Sequence, residues 1–213
     1  MTKVQKLQSR MFMQPNVDKF TEDLSDESSL KRTTNCRTYF QALQEMIFQF
    51  DSSNVTFSYP PEESAPAKMA FSYVVHQHPG LFEILLHLTF RPYNAYCIYI
   101  DYKASGHIKK AYQSLVDCYQ SHFSNTTIFI FSKPAEVYWG DYSLLNADLR
   151  CLEALYERNQ EWEYYANLAG TELPVTSVET LALKLSSNRI NISVESFIHN
   201  QGRWRNAKET ISG

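Results

Sequence analysis

The 213-residue sequence has no apolar run long enough to cross a bilayer. A membrane-spanning helix needs about 20 consecutive, mostly apolar residues, whereas the most apolar stretch, residues 81–90, is short and carries Glu83 and His87. The start of the chain is mixed polar and lacks the apolar centre of a secretory signal. Taken literally, these absences predict a soluble, cytosolic chain. Its 44% of hydrophobic and 20% of charged residues are typical of a packed globular core.

An excess of one charge is also absent, because the formal net charge is only −3. The lysines and arginines are scattered, and no run of five or more occurs. A domain that binds nucleic acid is expected to concentrate basic residues on one face. The composition therefore argues against nucleic acid as a partner.

Several motifs with known chemistry are missing. No G-x-G-x-x-G follows the first predicted strand and no G-x-x-x-x-G-K-[ST] occurs, which argues against dinucleotide cofactors and P-loop chemistry. No H-E-x-x-H or G-x-S-x-G occurs, which argues against metalloproteases and α/β-hydrolases. None of the four cysteines forms a C-x-x-C pair, so a zinc site is not expected.

Two features point away from the cytosol. The cysteines are an even number at long spacings, which permits two disulfides, although four buried thiols are an equal alternative. Three N-x-[ST] sequons begin at Asn54, Asn125 and Asn191, where N-glycosylation is expected only in a secreted protein. A few sequons also occur by chance, so the composition alone leaves the compartment open.

The first part of the chain is predicted to carry little structure of its own. Residues 1–35 are polar and are interpreted as a flexible extension or stem, and residues 51–67 as a linker rich in Ser, Pro and Glu. Between them, residues 36–50 have apolar side chains at helical spacing. These side chains are Tyr39, Leu43, Ile47 and Phe50. The expected organisation is a stem with a short cysteine-containing helical segment over residues 1–67, an α/β domain over residues 68–190 and a further region over residues 191–213.

From residue 69 onward, strand-like and helix-like patterns alternate. Short β-branched and aromatic runs predict strands over residues 69–76, 95–101, 126–131, 163–168 and 190–197. Apolar residues at helical spacing predict helices over residues 79–90, 105–122, 143–158 and 177–186. The third helix is amphipathic, with Leu145, Leu149, Leu152 and Tyr156 in register, and Thr176 with Glu179 forms a capping box for the fourth. This alternation predicts an α/β fold, a mostly parallel sheet flanked by helices.

Polar residues follow the ends of the predicted strands. His76 ends the first strand, Asp101 ends the second, and polar loops at residues 136–142 and 167–172 follow the third and fourth. Ligands of such sheets bind beyond the carboxyl ends of the strands. Two interpretations stay open for each candidate. Asp101 can accept hydrogen bonds from a ribose or base, or cap the next turn; His76 can contact a ligand or lie in the core; Trp139 can stack on a base or sugar, or plug a loop.

Five segments, in this order, make the sequence recognisable. They are residues 71–76 (FSYVVH), 91–101 (RPYNAYCIYID), 138–140 (YWG), 147–151 (ADLRC) and 167–174 (NLAGTELP). Together they resemble the Core-2/I-branching β-1,6-N-acetylglucosaminyltransferase family, which includes the peptide O-xylosyltransferases, and most of all its nematode branch. The resemblance covers about residues 36–205.

The resemblance implies a GT-A-like fold with a Rossmann-type sheet, incomplete at the C-terminus. It implies an inverting transfer of N-acetylglucosamine from UDP-GlcNAc to an O-glycan acceptor, without a metal ion or a cofactor, and xylose stays open as the donor sugar. The Asp-x-Asp motif of metal-dependent sugar transferases is absent, since Asp101-Tyr102 is followed by Lys103. A cation in that place suits a diphosphate leaving group.

The same resemblance assigns roles to particular residues. Matching by motif, the contacts to the UDP part of the donor are Val74, His76, Asp101 and Trp139. The acceptor contacts are Glu195 and Arg203, and the disulfides are Cys36–Cys118 and Cys97–Cys151, which belong in an oxidising lumen. One departure is Leu144, which stands where some members have an arginine.

Further expectations concern parts that the sequence does not contain. The family's general base, a glutamate, is expected beyond residue 213, and Glu172 is the one strand-end carboxylate that could replace it. This chain alone is therefore expected to be inactive. The family's N-terminal anchor would make the protein a type II membrane glycoprotein of the Golgi lumen. Two alternatives stay open: a non-catalytic donor-fold module that binds UDP-sugar or partners a full-length enzyme, and a cytosolic nucleotide-binding protein.

Overall fold

The computed structural model describes residues 25–50, 61–158 and 161–187. Its helices are α1 (Asp26–Thr33), α2 (Cys36–Phe50), α3 (Pro79–Thr89), α4 (Gly106–His122), α5 (Tyr142–Arg158) and α6 (Val178–Ser187), with a short 3-10 helix at Glu62–Ser64. Its strands are β1 (Met69–Val75), β2 (Ala95–Ile100), β3 (Thr127–Ile130) and β4 (Tyr164–Ala169). From β1 to α6 these bounds differ from the predicted ones by one residue at most. The predicted fifth strand at residues 190–197 lies outside the described residues.

The four strands form one parallel sheet in the order β3-β2-β1-β4. β2 is buried at every position and β1 at all but one, as expected for central strands covered on both faces. In the register, Val74 of β1 lies between Tyr99 of β2 and Ala169 of β4. The predicted α/β fold with a parallel sheet is therefore confirmed.

The two faces of the sheet are filled differently. Successive strand residues point to opposite faces, and Phe71, Tyr73 and Val75 of β1 pack with α3, α4 and α6 in a large cluster. On the other face, Ala70 of β1 and Cys97 of β2 pack with α5 in a smaller cluster. We call the first the aromatic face and the second the α5 face.

The buried stripe of α5 is not the one that its apolar pattern indicates. The side chains that pack against the sheet are Ala147, Cys151 and Leu155. The stripe of larger residues faces outward, and Leu145 and Tyr156 are 53% and 57% exposed. Ala70 and Ala95 of the sheet face this helix, and Ala147, Cys151 and Leu155 fill the contact. The predicted helix is thus present, and the stripe that packs on the sheet is a different one from the stripe of Leu145 and Tyr156.

Helix α1 contradicts the prediction of a flexible extension through residue 35. It packs on α3 and α4, and the Ser25 hydroxyl caps it by accepting the N–H of Ser28 at 3.2 Å. Its main anchor is polar, because Arg32 Nε donates to Glu83 Oε2 over 3.0 Å while the Glu83 side chain is fully buried. Burial raises the pKa of Glu83, and Arg32 opposes that shift. A helix held by an ion pair has no strong apolar stripe, so its sequence pattern was read as polar extension.

Both predicted disulfides are present, one on each face of the sheet. Cys36–Cys118 joins the start of α2 to α4, and Cys97–Cys151 joins β2 to α5. No cysteine is free, so the alternative of four buried thiols is wrong. Cross-links of this kind stabilise chiefly by restricting the unfolded chain, and more so for long loops such as these, with separations of 82 and 54 residues.

The cap of α6 differs by one residue from the predicted capping box. Ser177, and not Thr176, is the cap, because its hydroxyl accepts the N–H of Thr180 at 3.2 Å. Glu179 forms an ion pair with Arg91, which lies just after α3, so its contacts extend beyond the cap of α6. Within the described residues, no helix combines the length and the apolar content needed to span a membrane.

Candidate functional site

A cavity of about 530 Å³ opens where β1, β2 and β4 end. Its walls come from these strand ends, from the loop between β3 and α5, and from the first turn of α5. The lining residues are Val74, Val75, His76, Asp101, Lys103, Ala104, Val137, Trp139, Leu144, Ala169 and Thr171. Parallel strands bring their carboxyl ends to one edge of the sheet, which explains why residues so far apart in the chain meet here.

The four residues assigned to the donor all line this cavity. Val74 forms its floor beside Ala169, its register partner on β4, and His76 is exposed immediately after β1. The Trp139 side chain is 88% exposed, so the interpretation that it plugs the loop onto the core is wrong. Trp139 therefore presents a free aromatic surface at the cavity mouth.

The remaining candidate residues lie elsewhere. The acceptor candidates Glu195 and Arg203, and the sequons at Asn54 and Asn191, are outside the described residues. Asn125 lies in the exposed turn between α4 and β3, away from the cavity walls. A glycan could be attached there without entering the cavity.

Asp101 combines the two roles that the sequence left open. It is only 5% exposed, and its Oδ1 accepts the N–H of Lys103 at 2.9 Å and that of Val137 at 3.4 Å. The first of these bonds closes an Asx turn, so Asp101 caps the turn after β2. Its Oδ2 lies 3.8 Å from the Lys103 ammonium and remains available to accept a hydrogen bond from a ligand.

The loop that carries Trp139 is attached to the end of β2. The N–H of Ala135 donates to the Tyr99 hydroxyl at 2.7 Å, and the N–H of Tyr102 donates to the Ala135 carbonyl at 3.3 Å. Gly140, at φ 76°, turns the chain into α5 in a conformation that other residues rarely adopt. The position of Trp139 is therefore determined by contacts on both sides of it.

Gly170, directly after β4, allows a close approach that forms one cavity wall. A Cβ atom at this position would lie 2.5 Å from Cγ1 of Val75. The Glu172 carboxylate accepts the N–H of Ala169 at 3.0 Å. Glu172 therefore stabilises the turn after β4, which weakens its candidacy as a substitute general base.

A polar network that the sequence did not reveal lies just beneath the cavity, on the α5 face. Asp148 of α5 accepts hydrogen bonds from Ser72 of β1 at 3.2 Å and from Asn167 of β4 at 3.1 Å. The Tyr165 hydroxyl is 2.6 Å from that of Ser72. Burial raises the pKa of Asp148, and it raises that of Tyr165 to about 12. The signal in the sequence was a set of polar residues at alternate positions of two otherwise apolar strands, opposite an aspartate of α5.

In the described part of the chain, the side chains that commonly bind metal ions do not come together. No three His, Cys, Asp or Glu side chains are grouped there so that they could hold a metal ion. The basic side chains that line the cavity in this part of the chain are His76 and Lys103.

A cavity beyond the carboxyl ends of parallel strands is the place where open α/β sheets bind their ligands. The family model of the Core-2/I-branching enzymes matches residues 69–212. This match spans more than half of the chain and includes the whole cavity. The chain belongs to the Core-2/I-branching enzyme family.

Individual relatives agree with this assignment. The human β-1,3-galactosyl-O-glycosyl-glycoprotein β-1,6-N-acetylglucosaminyltransferase 3 is 30% identical over 92% of this chain and 42% of its own length. The mouse protein of the same name is 32% identical over 68% of this chain and 32% of its own. The corresponding enzyme of bovine herpesvirus 4 is 28% identical over 89% and 40%. The chain thus spans about two fifths or less of the length of these relatives.

Proposed function

We propose that this chain is the donor-binding part of a glycosyltransferase that transfers N-acetylglucosamine from UDP-GlcNAc to an O-glycan acceptor. The observation that carries the proposal is the cavity beyond β1, β2 and β4, which gathers Val74, His76, Asp101 and Trp139. The names of the relatives support the sugar and the linkage type. The order of the strands supports a GT-A-like sheet.

We assign each of these residues to the part of the donor that its chemistry suits. We assign Oδ2 of Asp101 to accept hydrogen bonds from the uracil or ribose, because Oδ1 already holds the turn. We assign the exposed indole of Trp139 to stack on the flat base. We assign His76, which is exposed immediately after β1 and lines the cavity, to the diphosphate, because an imidazole N–H can donate a hydrogen bond to a phosphate oxygen.

The proposed reaction is a single inverting displacement without a metal ion. The acceptor hydroxyl oxygen bonds to the anomeric carbon as the bond to UDP breaks, and a carboxylate takes the hydroxyl proton. Positive charge must meet the negative charge that develops on the diphosphate. Since the Lys103 ammonium is held by Val137 and Asp101, we do not assign this role to Lys103, and His76 is the other basic side chain of the cavity that can donate a hydrogen bond to the diphosphate. We do not assign Glu172 as the general base, because its carboxylate accepts the N–H of Ala169.

The cell compartment is part of the proposal. Two disulfides use all four cysteines, which supports an oxidising lumen, such as that of the Golgi, and opposes the cytosolic alternative. The exposed Asn125 is then accessible to N-glycosylation. Expression in a secretory host, followed by a mass map with and without glycosidase, would reveal a glycan at Asn125; an unmodified peptide opposes this part of the proposal.

Calorimetry with UDP tests the donor site directly. The full chain, refolded with both disulfides, is expected to bind UDP equally well with and without EDTA, and ADP and GDP more weakly. Asp101→Ala is expected to reduce the affinity by about tenfold or more, which is the usual consequence of losing a hydrogen bond to a charged group. Asp117→Ala is the matched control, because Asp117 is an exposed carboxylate on α4. Absence of UDP binding at millimolar concentration would remove the proposal.

A transfer assay separates the enzyme from its alternative. Incubation of the chain with UDP-GlcNAc and a galactosyl-GalNAc acceptor measures whether the described cavity is sufficient for catalysis. Transfer by this chain would exclude the non-catalytic donor-fold module. UDP binding without transfer agrees both with the expected inactivity of this chain alone and with that module, which the hydrogen bond of Glu172 to Ala169 also supports.

A further inference from the structure

Lys103 connects two walls of the cavity, which are formed by segments about 35 residues apart in the sequence. Its ammonium donates to the Val137 carbonyl at 2.7 Å, lies 3.8 Å from the centre of the Tyr138 ring and lies 3.8 Å from Oδ2 of Asp101. Its own N–H donates to Oδ1 of the same aspartate. One side chain therefore contacts both the acidic group at the end of β2 and the loop that presents Trp139.

From this geometry we infer that Lys103 is a positioning residue, which ties the Trp139 loop to the Asp101 carboxylate and so shapes the part of the cavity that receives the nucleoside. The inference rests on the proposed function, since it concerns how the same cavity holds a uridine nucleotide. It assigns Lys103 to the nucleoside end of the ligand and not to the diphosphate.

The burial of Asp101 gives the physical reason. A carboxylate that is only 5% exposed needs a partner for its charge. The two backbone N–H groups on Oδ1 supply part of this, and the Lys103 ammonium faces Oδ2. Without the ammonium, Oδ2 loses its counter-charge and the Val137 carbonyl loses its donor. The first loss affects the Asp101 carboxylate, and the second affects the loop that carries Trp139. Neither loss removes a contact to a phosphate.

Lys109 provides a close match for comparison. Its ammonium also donates to a backbone carbonyl, that of Tyr102 at 2.6 Å, and it also lies against a tyrosine ring, 4.9 Å from the centre of that of Tyr102. It does not line the cavity. The two lysines therefore make similar kinds of contact, and only Lys103 contacts the acidic group of the cavity.

The decisive experiment compares Lys103→Met, Lys103→Arg and Lys109→Met by calorimetry with uridine, UMP and UDP. Lys103→Met is expected to weaken all three ligands by the same factor, about tenfold, as for the loss of one charged hydrogen bond. Lys103→Arg keeps the charge and is expected to recover most of this loss, and Lys109→Met is expected to stay within about twofold of the wild type. A loss that grows with the number of phosphates would overturn the inference in favour of a direct phosphate contact, and equal effects of the two methionine variants would overturn it too.

A second measurement does not depend on nucleotide binding. Cleavage by chymotrypsin after Tyr138 and Trp139 becomes faster as the loop opens more often, and it is expected to be several-fold faster in Lys103→Met than in Lys109→Met. Equal cleavage rates contradict the tether. If the wild-type chain binds none of the three ligands, the proposed function fails, while the cleavage rates still decide whether Lys103 holds the loop.

Discussion

The aromatic face and the α5 face of the sheet differ in what they bury and in what they support. On the aromatic face, large side chains such as Phe82 and Tyr112 are fully buried in a cluster to which four helices contribute, α2, α3, α4 and α6. On the α5 face, small residues bring one helix close, and the Asp148 network replaces part of the apolar contact. The cavity lies at the end of the α5 face, where Leu144 of α5 meets Val74 and Ala169. The aromatic face thus holds most of the buried core, while the cavity lies at the carboxyl edge of the sheet, where Val75 of the aromatic face joins residues of the α5 face.

The largest effect is expected from damage to the aromatic face. Phe82→Ala removes a fully buried ring that contacts Tyr73 and Tyr112, and it is expected to lower the free energy of unfolding by about 3–5 kcal/mol. Urea unfolding measures this loss, with the exposed Leu183→Ala as the control. UDP affinity of the folded variant should be unchanged within about twofold. A large loss of affinity without a loss of stability would contradict the separation of the two faces.

An intermediate effect is expected at the wall between β1 and β4. Gly170→Ala places a methyl group 2.5 Å from Cγ1 of Val75, so it is expected to cost about 1–3 kcal/mol of stability. It should also weaken UDP binding, because Val75 lines the cavity. Gly106→Ala is the matched control, since a Cβ there has no atom within 4 Å. Thermal unfolding and calorimetry of both variants check the prediction, and similar behaviour of the two would show that this close approach is unimportant.

The smallest effect concerns the pH dependence of the α5 face. Burial raises the pKa of Asp148 above its ordinary value of 3.8, so the folded state keeps a proton at pH values where the unfolded chain has lost it. The stability of the wild type is therefore expected to fall as the pH rises through the interval just above 3.8. Asp148→Asn lacks this titration and should show a flatter profile there.

Urea unfolding between pH 3.5 and 6 measures how the free energy of unfolding changes with pH in the wild type and in Asp148→Asn. The exposed Glu153→Gln is the control. The prediction is contradicted if the stability of the wild type rises through this interval as much as that of Asp148→Asn, or more. That result would mean that the fold stabilises the ionised Asp148 carboxylate better than the protonated one.

Particular elements show how much of the fold and of the cavity could be predicted from the sequence. The helices and strands from β1 to α6 were predicted to within one residue, because an alternating pattern of apolar residues is a local property. The meeting of His76, Asp101 and Trp139 was also predictable, because parallel strands end at one edge. The disulfide pairs came only through the resemblance to a family, since four cysteines allow three pairings. What the cavity binds stays a prediction.

Other features had no local signal. Arg32 and Glu83 hold α1 in place across 51 residues of sequence, so a polar segment becomes a packed helix. The buried stripe of α5 is formed by Ala147, Cys151 and Leu155, and not by the stripe that contains Leu145 and Tyr156.

By itself, the sequence determined the order of strands and helices and the set of residues at the strand ends, because apolar periodicity acts over a few residues at a time. Only the tertiary structure decided which side of α5 is buried and how Asp101 is shared between its turn and Lys103. It also decided that Ser72, Asp148 and Asn167 join beneath the cavity. Each of these depends on the distance between groups far apart in the chain, which packing sets and no local pattern records.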